Sequence, residues 1–200
     1  TLVRAQGGTN NTSHKVGDTV QQCAWFNADK VQDILYELMT VGANINGAYI
    51  PKTEWDAEQT AYLPRLYSAL ITAPTGVSKL IAELAEQIGF FMFWDEVGEK
   101  IRFKAIRPNA GTDTIYELTA ERDILADSLS LKDLADARVN EVWVYYGVID
   151  TTKNLTEEAN YKVIHVSSNV ADQSVSQSND LRIKKIFSRW ISDFNGSAAT

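Results

Sequence analysis

Three groups of carboxylates have the residue types and spacing that acid–base catalysis requires. They are Glu54 with Asp56 and Glu58, Asp95 with Glu96, and Glu157 with Glu158. Because paired carboxylates act as acid and base in glycoside hydrolysis, Glu54 or the Asp95-Glu96 pair could serve a cell-wall glycosidase. Acidic residues at turns and in the first turn of a helix also stabilise local structure, and we favour that interpretation. The sequence therefore predicts no catalytic residue and no enzyme.

Other reactive or metal-binding side chains are few and widely spaced. His14 and His165 are the two histidines, and neither has a partner at the spacing of a zinc site. The single cysteine, Cys23, precedes Ala-Trp-Phe and is interpreted as a small core residue, not a nucleophile. Neither a nucleophile elbow nor a phosphate-binding loop is present in the sequence. We expect no metal ion and no cofactor.

The five tryptophans and eight tyrosines are unusual, since exposed aromatic rings can stack on sugars or anchor protein contacts. Trp94 and Trp143 alternate with other residues in predicted strands, so we expect them in the core. A second group lies in polar surroundings and is expected at the surface. These candidate partner-contact residues are Trp55, Arg189 and Trp190.

Charge and hydropathy restrict the possible partners. The chain has 19 basic and 26 acidic residues and a net charge of −7, which argues against a nucleic-acid surface. No run approaches the roughly 18 apolar residues of a membrane span, so this segment should not insert into a membrane. The chain begins with Thr1 and ends in a polar segment, and we expect a fragment of a longer protein.

The N-terminal half is expected to contain two amphipathic helices and a hairpin. Residues 1–26 form an irregular segment that continues from a preceding unit, and residues 27–110 form a helix-helix-hairpin domain. The expected elements are a helix at 27–42 with Asn27 as its N-cap, a short helix at 53–61 opened by a capping box at Thr53, a strand at 66–72, a helix from 75 or 76 to Gly89, and a hairpin of 90–95 with 100–107.

The C-terminal half, residues 111–200, is expected to be a β-rich domain. Its predicted strands are 114–118, 138–149, 161–167 and 181–194, the last with Trp190 among its apolar anchors. Residues 121–134 fit a helix or a bulged strand, and 171–179 should be exposed. The fold class is therefore α+β, with amphipathic helices packed on an antiparallel sheet in the N-terminal half and a β-rich C-terminal half.

The order of several short segments is the remaining feature of the sequence. These are 31–39 (VQDILYELM), 47–51 (GAYIP), 54–55 (EW), 70–75 (LITAPT), 80–84 (LIAEL), 93–96 (FWDE), 101–108 (IRFKAIRP), 142–147 (VWVYYG) and 186–191 (IFSRWI). Together they resemble the tail-tip or baseplate-hub proteins of long-tailed bacteriophages, from about residue 29 to residue 191.

That resemblance implies a structural component of the virion, made in the cytoplasm of the bacterial host. Such a hub is commonly a homotrimer that closes the tail tube, contacts other tail or baseplate proteins, and carries fibres or a penetrating element. No catalytic set is carried over with the resemblance. The acidic balance is compatible with a lumen that must let DNA pass. Two alternatives remain, a carbohydrate-recognising receptor-binding domain and the cell-wall glycosidase considered above.

Overall fold

The computed structural model describes residues 23–108, 138–169 and 181–192, and positions 13, 15–17, 117, 119, 122–125, 128 and 130. The fold is α+β, as expected. Its strands are β1 (Ala24–Lys30), β2 (Leu66–Ile71), β3 (Phe90–Asp95), β4 (Lys100–Ala105), β5 (Glu141–Val148), β6 (Tyr161–Ser168) and β7 (Ile183–Phe187). Its α-helices are α1 (Val31–Glu37), α2 (Lys52–Tyr62) and α3 (Val77–Ile88). Most of the predicted strand at 114–118 and most of the segment 121–134 lie outside the described residues, and so does all of 171–179.

β1 replaces the helix start that was expected at Asn27. This strand pairs antiparallel with β2, and its register shifts between Phe26 and Asp29, where Ala28 has a φ of 56°. The backbone N–H of Asn27 donates to the Asp29 carboxylate at 2.9 Å, so these polar residues form a bulge and not a helix cap. The prediction of Asn27 as an N-cap is wrong. The strand also crosses the boundary placed at residue 26.

α1 buries the apolar stripe that was expected, but the helix changes pitch before it ends. Val31, Ile34 and Leu35 are fully buried. The chain then continues through a π-helical turn, Leu38–Gly42, which ends at the predicted glycine. Because a π turn holds more residues than an α turn, it rotates later side chains away from the stripe. Val41, expected in the core, is therefore 78% exposed.

α2 begins at Lys52 and not through a capping box at Thr53. Its N-cap is Pro51, whose carbonyl accepts hydrogen bonds from the backbone N–H groups of Glu54 and Trp55 at 2.9 and 3.1 Å. Proline is tolerated at this point because the N–H that it lacks would have no acceptor within the helix. The Thr53 cap is thus a wrong prediction, whereas the helix end before Pro64 is confirmed.

α3 and the hairpin that follows it agree with the sequence. Leu80 and Leu84 are buried on the core face, and Gly89 ends the helix with a φ of 80° in the left-handed region. Glycine adopts that conformation without the steric cost that a side chain brings. β3 then pairs antiparallel with β4, in a register that runs from Phe90 opposite Ala105 to Asp95 opposite Lys100.

The third sheet has the strand order β6-β5-β7. β5 and β6 form the predicted antiparallel pair, joined by residues 149–160, and β7 lies parallel to β5. The last strand was expected to include Trp190, but it ends at Phe187. Residues 188–191, which we name the joining segment, leave this sheet and enter the N-terminal half.

Trp190 in the joining segment connects the two halves. Its side chain is fully buried, and its ring lies 5.8 Å from that of Phe26. Its carbonyl accepts the backbone N–H of Ser68 in β2 at 3.0 Å, and the next carbonyl, of Ile191, accepts that of Gly147 in β5 at 3.1 Å. The joining segment therefore satisfies backbone groups of the β1–β2 sheet and of the three-stranded sheet, and it contributes an indole ring to the main core.

Candidate protein-contact surface

α2 covers the outer edge of β4. The Trp55 indole N–H donates to the carbonyl of Ile101 at 2.9 Å, and the backbone N–H of Ala105 donates to the Glu58 carboxylate at 3.0 Å. Side chains of α2 thus satisfy backbone groups that a further strand would otherwise bind. Trp55 is buried and packs on Phe103, so its prediction as a surface residue is wrong. The polar residues around Trp55 at the start of the helix suggested that its ring is exposed, but this side of α2 faces β4.

The candidate acid–base residues are engaged by cations. Arg102 binds the Asp95 carboxylate at 2.8 Å and also binds Glu54. The backbone N–H of Gly98 and the Arg102 guanidinium lower the pKa of Asp95. A glycosidase acid needs the opposite shift, since it must hold its proton until it meets the substrate. Arg102 therefore joins Glu54 and Asp95 in an ion-pair cluster.

Glu58 and Glu158 also have structural partners. Glu58 is buried and bonds the Lys104 ammonium at 3.1 Å as well as the β4 backbone. Glu158 bonds Lys185 at 2.6 Å, and this hydrogen bond lowers the pKa of Glu158. The side chain of Glu96 is exposed at the hairpin turn. The contacts of Glu58 and Glu158 favour roles in stability over proton transfer.

The outer face of the hairpin carries exposed aromatic rings. Phe91 and Phe93 stack with their centroids 5.9 Å apart and their planes at 20°, and each is 47% exposed. The alternate residue Phe90 points into the core, where it packs on Phe103. The sequence contains a signal for this surface, because β3 is apolar at successive positions and therefore directs apolar side chains to both of its faces.

Trp94 lies at the turn end of β3, where the core layer stops. It is 48% exposed, and its ring meets that of Tyr49 edge to face at 5.6 Å. The expectation that Trp94 lies in the core is therefore wrong. Trp143 is partly buried.

β3 also presents an unpaired edge. Within the described residues it pairs with β4 alone, so the backbone groups on its other side have no strand partner there. An edge strand of this kind can pair with a second chain. The stacked phenylalanines and this edge together form the hairpin surface, the best candidate for a protein contact.

Arg189 and Trp190 do not form a surface site. Arg189 is largely buried and binds Glu83 of α3 at 3.0 Å, while Trp190 lies in the core. Their prediction as surface anchors is wrong, because the joining segment inserts between the two halves. Cys23, expected in the core, is exposed at the start of β1. His165 is exposed on β6, and His14 lies outside the described residues.

Across residues 23–108, 138–169 and 181–192 no group of three or more His, Cys, Asp or Glu side chains is placed to hold a metal ion. No helix in this described part has the length and hydropathy of a membrane span. The chain matches no protein-family model, and no curated protein sequence is significantly similar to it.

Proposed function

We propose that this chain is a structural domain of the tail tip or baseplate hub of a long-tailed bacteriophage. It would make the subunit contacts that close the tail tube and connect it to fibres or to a penetrating element, and it would reside in the virion. The resemblance of its segments motivates this proposal. The observation that carries it is the hairpin surface, where Phe91 and Phe93 are stacked and half-exposed beside an unpaired strand edge.

The partner we propose at this surface is a second copy of the same chain, in a closed ring of three. Half-exposed aromatic rings gain most when a partner removes them from water, and aromatic residues are enriched where proteins meet. The alternation of Phe91 and Phe93 along β3 suits strand addition, in which the β3 edge of one copy pairs with a different strand edge of the next copy, as a ring of three requires. Such pairing supplies backbone hydrogen bonds as well as apolar contact. The ion-paired state of Glu54 and Asp95 supports a non-catalytic role.

The test is an aspartate substitution at the centre of the hairpin surface. Phe93→Asp should abolish chemical cross-links between copies, because a charge would be buried without a partner. Val97→Asp is the matched control, since Val97 is fully exposed in the hairpin turn and should leave cross-linking unchanged. Equal cross-linking by the wild type and Phe93→Asp would refute this interface.

A carbohydrate-binding domain is the second candidate function. Its original basis, exposure of Trp55 and Trp190, does not hold, but Trp94 and Tyr49 form a half-exposed aromatic pair that a sugar ring could stack on. Wall fragments should then shift the tryptophan emission of the wild type and not that of Trp94→Phe. No shift in either protein would exclude this candidate.

The glycosidase hypothesis makes a separate prediction. A catalytic Glu54 would make the protein lower the turbidity of a cell-wall suspension, and Glu54→Gln would abolish that loss. We expect no loss of turbidity with the wild type, because Arg102 engages the Glu54 carboxylate.

A further inference from the structure

A polar cleft separates α3 from the loop that joins β5 to β6. Its volume is about 510 Å³, and both halves of the protein line it. Sites for small ligands typically occupy about 300–1,000 Å³ and often lie between structural units. The hydroxyl of Thr72 donates to the carbonyl of Thr151 at 3.1 Å, and this bond ties the two walls together. The cleft is therefore a defined feature at the junction and is separate from the hairpin surface.

The cleft has more positive than negative side chains. Its lining includes four cations and two carboxylates, which are Lys79, Lys153, Lys185, Arg189, Glu83 and Glu86. The ion pairs that engage them are Arg189 with Glu83, Lys185 with Glu158, and Lys184 with Glu86. Lys79 and Lys153 form no ion pair within the described residues. Lys153 still interacts electrostatically with the neighbouring Asp150 carboxylate. The lining itself nevertheless holds more cations than carboxylates, in a chain whose net charge is −7.

The loop wall adds hydrogen-bonding groups beside these lysines. The Asn154 side-chain oxygen accepts both the backbone N–H and the hydroxyl of Thr156, at 3.0 and 2.9 Å. Its amide nitrogen has no acceptor in the described part of the chain and remains available as a donor. The hydroxyls of Thr152 and Thr156 already donate within the loop, so their oxygens can accept from a ligand.

We propose that this cleft binds a phosphate monoester of a sugar or other polyol. A phosphate monoester carries about −1.5 to −2 charges at pH 7, which matches Lys79 and Lys153, and it offers several oxygens to the Asn154 amide. The threonine oxygens would accept the hydroxyls of the polyol. This site does not depend on the proposed hub function, because its residues are distinct from those of the hairpin surface.

Glucose 6-phosphate is the probe, with glucose and inorganic phosphate as the comparison compounds. Isothermal titration calorimetry of the wild type should detect binding of glucose 6-phosphate. It should show weaker binding of inorganic phosphate and no binding of glucose. The double variant Lys79→Ala/Lys153→Ala should weaken binding by about tenfold or more, because it removes the two lining cations that form no ion pair in the described part of the chain. Added salt should weaken the wild-type interaction as well.

Lys162→Ala, on β6 and outside the cleft, is the matched control and should bind as the wild type does. Both lysines of the double variant are exposed, so its circular dichroism should be unchanged. The proposal is overturned if the wild type does not bind glucose 6-phosphate or if the double variant binds it equally well. Equal affinity for inorganic phosphate would overturn the polyol part of the site.

Discussion

Replacement of Trp190 should destabilise the protein more than replacement of any exposed tryptophan. The ring is fully buried and packs on Phe26, so Trp190→Ala leaves a cavity in the main core. Removal of a large buried aromatic ring costs about 3–5 kcal/mol of unfolding free energy. Trp94→Ala is the matched control, and because Trp94 is 48% exposed it should cost only about 1–2 kcal/mol.

A second substitution separates ring packing from hydrogen bonding. The Trp190 indole N–H has no acceptor among the described residues. Trp190→Phe keeps a ring beside Phe26 and removes that buried donor, so we expect it to recover about 2 kcal/mol relative to Trp190→Ala. Urea unfolding of the wild type, Trp190→Ala, Trp190→Phe and Trp94→Ala, monitored by circular dichroism, provides the free energies of unfolding.

The joining segment should also protect the backbone of β2. The Ser68 N–H donates to the backbone carbonyl of residue 190, which alanine keeps. Because the buried Trp190 ring holds this segment against β2, its removal should accelerate hydrogen exchange at Ser68 in Trp190→Ala, whereas Trp94→Ala should leave it unchanged. An unfolding free energy of Trp190→Ala no lower than that of Trp94→Ala, or equal exchange at Ser68 in all variants, would contradict a core role for the Trp190 ring.

Three further outcomes follow from single contacts. Glu58→Ala should cost about 1–3 kcal/mol in urea unfolding, because the Ala105 N–H loses its buried acceptor. Gly89→Ala should lower the free energy of unfolding by about 1–2 kcal/mol, since its φ of 80° strains any side chain; an unchanged thermal midpoint would contradict this. The pKa of Asp95 is lowered in the folded state, so the ionised carboxylate adds to the free energy of unfolding above pH 3.8, and this contribution is lost as the pH falls through the folded-state pKa. In acid unfolding, the stability of the wild type should therefore converge on that of Asp95→Asn.

Elements with strong local signals could be predicted from the sequence. The apolar stripe of α3 and the glycine at its end predict the helix, and the alternation of β4 predicts a strand of a hairpin. The tertiary contacts in the fold favour the same local structures. The pair β5–β6 was also predictable, because both strands are rich in β-branched and aromatic residues on either side of a polar loop.

The environments of the tryptophans could not be predicted in this way. Trp190 follows a charged residue and suggests exposure, yet its burial depends on Phe26, which lies far away in the sequence. Trp55 likewise depends on the edge of β4. Local polarity describes the neighbours of a residue along the chain, whereas burial depends on which elements pack against it. For the same reason the cleft beside α3 has no signature in the sequence.

The hairpin surface follows from a simple geometric restriction. A strand that is apolar at successive positions needs cover on both faces, and the described residues cover only one face of β3. The sequence could therefore indicate that the strand has a second contact. It could not indicate which strand edge remains unpaired, because that depends on the cover that α2 provides for β4.

The solution mass of the wild-type chain, measured by light scattering across a concentration series, tests the central proposal most directly. Assembly into a hub predicts a closed trimer, with three times the mass of the 22.3 kDa chain, and a return to the single-chain mass in Phe93→Asp. A single-chain mass for the wild type throughout the series would contradict the proposal that this domain assembles through its hairpin surface.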